Sequence, residues 1–169
     1  MTPKEFIKQY KPFALETEHK TGISHLFILA QAALETGWAN SVPGNMFFGV
    51  KAGKDTPVNK KQLLNTTEVL NAPNLGYKFP QVMSIYELPN GKYKYEVKDW
   101  FRKYDTPEEC FTDHAQFFFK NKRYAKALLV RSDPYKFAEE IAKAGYATAI
   151  NYADSLKKVI KMIESYEKA

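Results

Sequence analysis

The sequence predicts an α+β protein, mainly helical, with a β-hairpin lobe inserted between two helical parts. Three observations carry this. Helix-start signals and 3.6-residue apolar spacing occupy the first 38 residues and return after residue 105. Between them, Gly44, Gly49, Gly53, Pro57, Pro73, Gly76 and Pro80 interrupt any helical pattern. Pro89-Asn90-Gly91 is a turn signal flanked by alternating strand-forming residues.

The first helix begins at Thr2-Pro3-Lys4-Glu5, with Thr2 as N-cap, Pro3 at the first helical position and Glu5 closing a capping box. Phe6, Ile7, Tyr10, Phe13 and Ala14 follow on one face, and Thr21-Gly22 ends the helix. Ser24 caps a second helix expected to reach about Trp38, with Gly37 near its end. A β-rich lobe is expected over about 54–100, with strands at Thr66–Leu70 and Val82–Leu88 and an alternating Tyr93, Tyr95, Val97 strand closing a hairpin. Thr106-Pro107-Glu108-Glu109 repeats the capping-box logic, and Cys110, Phe111, His114, Phe117 and Phe118 form the apolar stripe of the helix it starts. Asp133-Pro134 opens another helix, with Phe137, Ala138, Ile141 and Ala142 inward and Gly145 as its stop. The last helix turns Ala153, Leu156, Ile160 and Ile163 to the core.

A chain of 169 residues predicts a single domain spanning 1–169, and 44% hydrophobic content excludes disorder. No apolar run approaches the roughly 20 residues of a membrane span, so no stable membrane insertion is expected. No signal peptide is visible at the N-terminus. The single cysteine, Cys110, excludes an intramolecular disulfide. His19, His25 and His114 lack metal-ligand spacing, and neither metal nor cofactor is expected. A net charge of +6 predicts attraction to polyanions: nucleic acid, an anionic membrane or a bacterial wall. No nucleic-acid recognition motif accompanies the charge.

The residue that points to chemistry is Glu35. It closes a run, Leu26 to Leu34, that is otherwise apolar but for Gln31. Burying an unpaired carboxylate costs several kcal/mol, or the group neutralises. A carboxylic acid kept protonated is what general acid catalysis needs. On a helix Glu35 shares a face with Ile28, Gln31 and Trp38. Its place near the helix C-terminus disfavours the charged form further. The plain alternative is a surface glutamate in the last turn. Glu68 is the second carboxylate candidate, against an ordinary exposed strand glutamate; Asp99, Asp105 and Asp113 are weaker rivals. The aromatics around the irregular region, Trp38, Phe47, Phe48, Tyr77, Phe79, Tyr86, Tyr93 and Tyr95, suit a glycan groove or a small core. Residues 120–131 carry five positive charges and no acid, which reads as a polyanion patch or a solvated face. His114 is expected to pack in its helix stripe.

Ala30-Gln31-Ala32-Ala33-Leu34-Glu35-Thr36-Gly37-Trp38, then Gly44-Asn45-Met46-Phe47-Phe48-Gly49-Val50-Lys51-Ala52, Asn65-Thr66-Thr67-Glu68, Phe101-Arg102-Lys103-Tyr104-Asp105, and Ala144-Gly145-Tyr146-Ala147-Thr148 with Asn151-Tyr152-Ala153 together resemble the family 73 glycoside hydrolases. These are flagellar- and autolysin-type β-N-acetylglucosaminidases. The resemblance runs from about residue 3 to 163. It implies a lysozyme-like fold with the β-hairpin lobe lining a substrate groove, and cleavage of the β-1,4 bond after N-acetylglucosamine in peptidoglycan. It assigns Glu35 to the general acid position, Glu68 to the second glutamate and Tyr146 to the tyrosine beside the catalytic centre. Asn45 and Phe48 fall in the groove-lining motif, and Trp38 and Tyr152 are further substrate-binding candidates. Ala149-Ile150 stand where the family often has Asp-Pro, and the stretch from Pro73 to Asp99 is longer than usual. No separate wall-binding domain is visible.

The expected partner is therefore the glycan strand of peptidoglycan, met at the bacterial wall by a monomer. A lysin, an effector exported by another route and a trimmed autolysin all fit that setting. The rival readings are a lysozyme- or lytic-transglycosylase-type muramidase, and a non-catalytic wall-binding or phage structural protein.

Overall fold

A computed structural model describes residues 1–147 and 150–168. The chain forms two compact units. One is helical and combines Met1–Phe48 with the chain from Tyr104 onward; the other is Gly49–Lys103.

The helical unit is built around α2 (His25–Thr36), whose residues from Leu26 to Ala33 are all buried. Helix α1 (Pro3–Thr21) packs on it through Phe6, Ile7, Tyr10 and Ala14. The capping box forms as expected: the Glu5 N–H donates to Thr2 Oγ1 at 3.2 Å, and the Thr2 N–H to Glu5 Oε2 at 2.9 Å. Gly22 ends α1 in the left-handed region, at φ +79°. Helices α3 (Pro107–Lys120), α4 (Ala125–Leu128), α5 (Pro134–Lys143) and α6 (Tyr152–Lys168) complete the unit. Leu156, Ile160 and Ile163 of α6 are fully buried. Aromatic edges lock the interior: Phe27 meets Phe137 at 4.7 Å and 89° between rings, and Phe47 meets Phe111 at 4.9 Å.

Helix α2 is shorter than the apolar run suggests. It stops at Thr36 because Gly37, Trp38 and Ala39 all take positive φ, +59°, +62° and +62°. The Trp38 N–H reaches back to the Ala33 carbonyl at 2.9 Å, as in a Schellman ending. Thr36 reinforces the stop: its hydroxyl donates to the Ala32 carbonyl and accepts from the Ala39 N–H. Trp38 therefore lies beyond the helix rather than on Glu35's face, and its ring sits edge-on to Phe6 at 5.4 Å.

The other unit is an antiparallel sheet in the order β1-β3-β2. Strand β2 (Gln81–Glu87) and β3 (Tyr93–Arg102) are the expected hairpin, closed by Gly91 at φ +82°. Strand β1 (Lys61–Leu70) is longer than the Thr66–Leu70 segment predicted, because it pairs with β3 along its whole length, Lys61 opposite Arg102 through Leu70 opposite Tyr93. The Tyr95 ring is buried, and its hydroxyl donates to the Ala72 carbonyl while accepting the Leu75 N–H. The connection from β1 to β2 is thereby pinned to the middle strand.

Candidate active site

Glu35 occupies the last turn of α2. Its side chain is open to solvent, yet protein atoms crowd the carboxyl enough for desolvation to raise its pKa. The two facts are compatible where water reaches one side of a group and protein atoms cover the other. The negative end of the α2 dipole works in the same direction.

Two phenols stand close enough to feel the Glu35 charge. Burial is the main cause that pushes Tyr146 far above the ordinary tyrosine range, with Tyr152 and Glu35 adding to it. Burial also pushes Tyr152 up to about 12, opposed by a hydrogen bond from Gln31 and aided by Glu35. Both are neutral phenols at any working pH. Their rings stack at 5.6 Å and 29°. Tyr146 is delivered by the end of α5. Gly145 turns into the left-handed region at φ +84°, and the Tyr146 N–H bonds the Ile141 carbonyl at 3.0 Å. Of the tyrosine motif, Thr148 and the family departure at Ala149 lie outside the described residues.

The remaining candidates in this unit also make contacts within the protein. Asn45 is left-handed at φ +55°, which asparagine tolerates, and its amide donates to the Tyr104 carbonyl at 3.1 Å. Phe48 stacks on the His114 ring at 4.0 Å and 22°. Asp113 accepts from the Tyr104 hydroxyl at 2.7 Å, which accounts for one of the weaker carboxylate rivals.

Glu68 belongs to the sheet unit, on β1 opposite Tyr95. Lys51 bonds its carboxylate at 2.7 Å and also reaches Asp99 at 3.2 Å, so one ammonium serves two acids. Asp99, another of the weaker rivals, thus shares Glu68's cation.

Three polar residues gained more than the sequence suggested. Lys51 carries no local signal beyond its place in the Gly49-Val50-Lys51-Ala52 segment. Gln31 is buried, one turn before Glu35, and its amide donates to the Tyr152 hydroxyl at 3.1 Å; the shared face with Glu35 was the available hint. His114 packs in its stripe as expected, but Nε2 also lies 3.1 Å from the Tyr146 hydroxyl. Among the described residues, no group of His, Cys, Asp and Glu could hold a metal ion.

A family model described as glucosaminidase, mannosyl-glycoprotein endo-beta-N-acetylglucosaminidase, matches residues 11–166. The chain belongs to this glucosaminidase family. Among curated proteins, the peptidoglycan hydrolase FlgJ of Vibrio parahaemolyticus is 32% identical over 97% of this chain and 48% of its own length. The exo-glucosaminidase LytG of Bacillus subtilis is 32% identical over 82% of this chain and 43% of its own. The chain thus spans about half the length of the curated relatives it matches. Among solved structures, a C-terminally truncated glycoside hydrolase domain from Salmonella typhimurium FlgJ superposes with a TM-score of 0.72 at 30% identity, covering 97% of this chain and 99% of that one. The helices with a small antiparallel sheet form the lysozyme-like fold of these neighbours, and the chain is a member of glycoside hydrolase family 73.

Proposed function

We propose that this chain is a peptidoglycan hydrolase, an endo-β-N-acetylglucosaminidase that cleaves the β-1,4 bond between N-acetylglucosamine and N-acetylmuramic acid at the bacterial wall. The observation that carries the reading is the desolvated Glu35 carboxyl beside two neutral, partly buried phenols. Glu35 donates its proton to the glycosidic oxygen as the bond to the anomeric carbon breaks, and positive charge develops on the sugar. Tyr146 holds its oxygen close to that carbon. Glu68, paired with Lys51, supplies the second carboxylate. It serves either as the base that activates water or as the group that orients the substrate's acetamido arm. The anomeric configuration of the first product separates these routes: inversion marks direct attack by water, retention an intermediate. Trp38, Asn45, Phe48 and Tyr152 frame the sugar site, and the enzyme works as a monomer on glycan strands.

The test is digestion of purified peptidoglycan followed by mass spectrometry. Reducing-end N-acetylglucosamine on internal fragments supports the reading, anhydro-muramic products would make the enzyme a lytic transglycosylase, and reducing-end muramic acid a lysozyme. Release of terminal sugars alone would move it to the exo mode named for the Bacillus subtilis relative. Binding to walls without any turnover would leave a non-catalytic wall protein.

A further inference from the structure

We propose that His114 is a positioning residue that fixes the Tyr146 phenol, with its proton turned inward and its oxygen lone pair left for the substrate. The inference deepens the proposed reading and rests on it where it concerns turnover. Four observations support it.

His114 Nε2 stands 3.1 Å from the Tyr146 hydroxyl, linking α3 to the segment that follows α5. The imidazole is held in place by rings. Phe48 stacks on it at 4.0 Å, Phe117 lies nearly parallel at 6.1 Å, and Phe118 presents an edge at 5.3 Å. Burial lowers the His114 pKa to about 4 against a smaller opposing pull from Asp113, so the ring is neutral and offers one donor and one acceptor. Finally, the Gln31 amide, itself 1% exposed, donates to the Tyr152 hydroxyl at 3.1 Å, and the Tyr152 ring stacks on Tyr146 at 5.6 Å.

The acidity of the two groups sets the direction of the protons. A phenol O–H is more acidic than a neutral imidazole N–H and is the better donor of the pair, while the unprotonated imidazole nitrogen is the better acceptor. The Tyr146 hydrogen then has His114 Nε2 as its acceptor, which requires the imidazole to carry its own hydrogen on Nδ1. Tyr146 consequently faces the sugar as an acceptor. That suits an acetamido N–H or the positive charge growing at the anomeric carbon, and it does not suit a role as a second acid.

The first measurement is the His114 tautomer, read by long-range ¹H–¹⁵N correlation on the intact protein at neutral pH. A hydrogen on Nδ1, with an Nε2 resonance that moves in Tyr146→Phe, supports the proposal. A hydrogen on Nε2, or an Nε2 resonance indifferent to that substitution, overturns it. The second is a double-mutant cycle on a soluble glycan substrate with Tyr146→Phe and His114→Phe, Phe being chosen to keep the ring stack. Each single variant is expected to lose kcat by about 10²-fold with KM little changed, and the double variant to be no worse than Tyr146→Phe. Losses that multiply would overturn the tether, as would full turnover in His114→Phe beside a crippled Tyr146→Phe. Glu35→Gln serves as the separate control: if it stays active, the catalytic reading fails while the tautomer still decides the tether.

Discussion

Replacing His114 by Gln should flatten the acid side of the stability profile by an amount that can be worked out. The imidazole is held neutral in the folded protein, with its pKa lowered from 6.5 to about 4. The unfolded chain binds a proton near pH 6.5, so it carries more protons than the folded state throughout the interval between the two values. Stability is therefore full above pH 6.5 and is lost as pH falls toward 4. The whole interval corresponds to about 3.4 kcal/mol, and the part between pH 7 and pH 5 to about 1.8 kcal/mol. With a urea dependence of about 1–3 kcal/mol/M, the midpoint should fall by about 0.6–1.8 M more in the parent than in His114→Gln over those two pH units. Trp38 and Trp100 are the two tryptophans, so a Trp100→Phe background makes fluorescence report on the helical unit alone. Glu35 also titrates with a raised pKa and acts in the opposite sense, but it is present in both proteins and cancels in the difference. Parallel stability curves for parent and variant would refute the claim that the folded protein keeps His114 uncharged.

Other outcomes follow from neighbouring residues. Glu35→Gln should reduce hydrolysis by about 10²–10⁴-fold. It should also be more stable than the parent at neutral pH. A carboxyl with a raised folded pKa weakens the fold once it ionises, so the advantage shrinks as pH falls toward 4.5 and the parent's own carboxyl is protonated. Cys110 is 1% exposed and burial pushes its thiol up to about 12, so iodoacetamide at pH 8 should leave the native protein unmodified and label it once in urea. Gly145→Ala forces a side chain into φ +84°; a loss of about 1–2 kcal/mol is expected in denaturant titration, with a fall in kcat because the turn that delivers Tyr146 shifts. An unchanged kcat there would show that Tyr146 does not depend on the turn.

What could be read in the sequence was local. Thr2, Ser24, Thr106 and Asp133 sit within three residues of the backbone N–H groups they cap, and all four caps are present. The Asn90-Gly91 turn is local in the same way. The early end of α2 was not readable, because Trp38 and Ala39 adopt a left-handed backbone that their types do not favour. The first half of β1 was hidden too. Lys61-Gln62-Leu63-Leu64-Asn65 has no alternation, and its strand state comes from pairing with β3. At the candidate site, Glu35 stands out in the sequence as a charge in an apolar run. The bonds from His114 to Tyr146 and from Gln31 to Tyr152 join residues 32 and 121 positions apart, and no local pattern encodes such partners.

The chain leaves the helical unit after Phe48 and re-enters it at Tyr104. Within the helical unit, the Tyr104 N–H bonds the Gly44 carbonyl at 2.8 Å; within the sheet unit, the Arg102 N–H bonds the Val50 carbonyl at 2.9 Å. Exit and return are thus each stitched within hydrogen-bond reach. Residues 49–103 behave as a cassette with a narrow stem: a homologous segment of different length could be spliced in at these two points without rethreading the helices. Glu35, Tyr146 and Tyr152 would stay with the host, while Glu68 and Lys51 would travel with the graft. The two carboxylates of the proposed reaction would then be inherited from different parents.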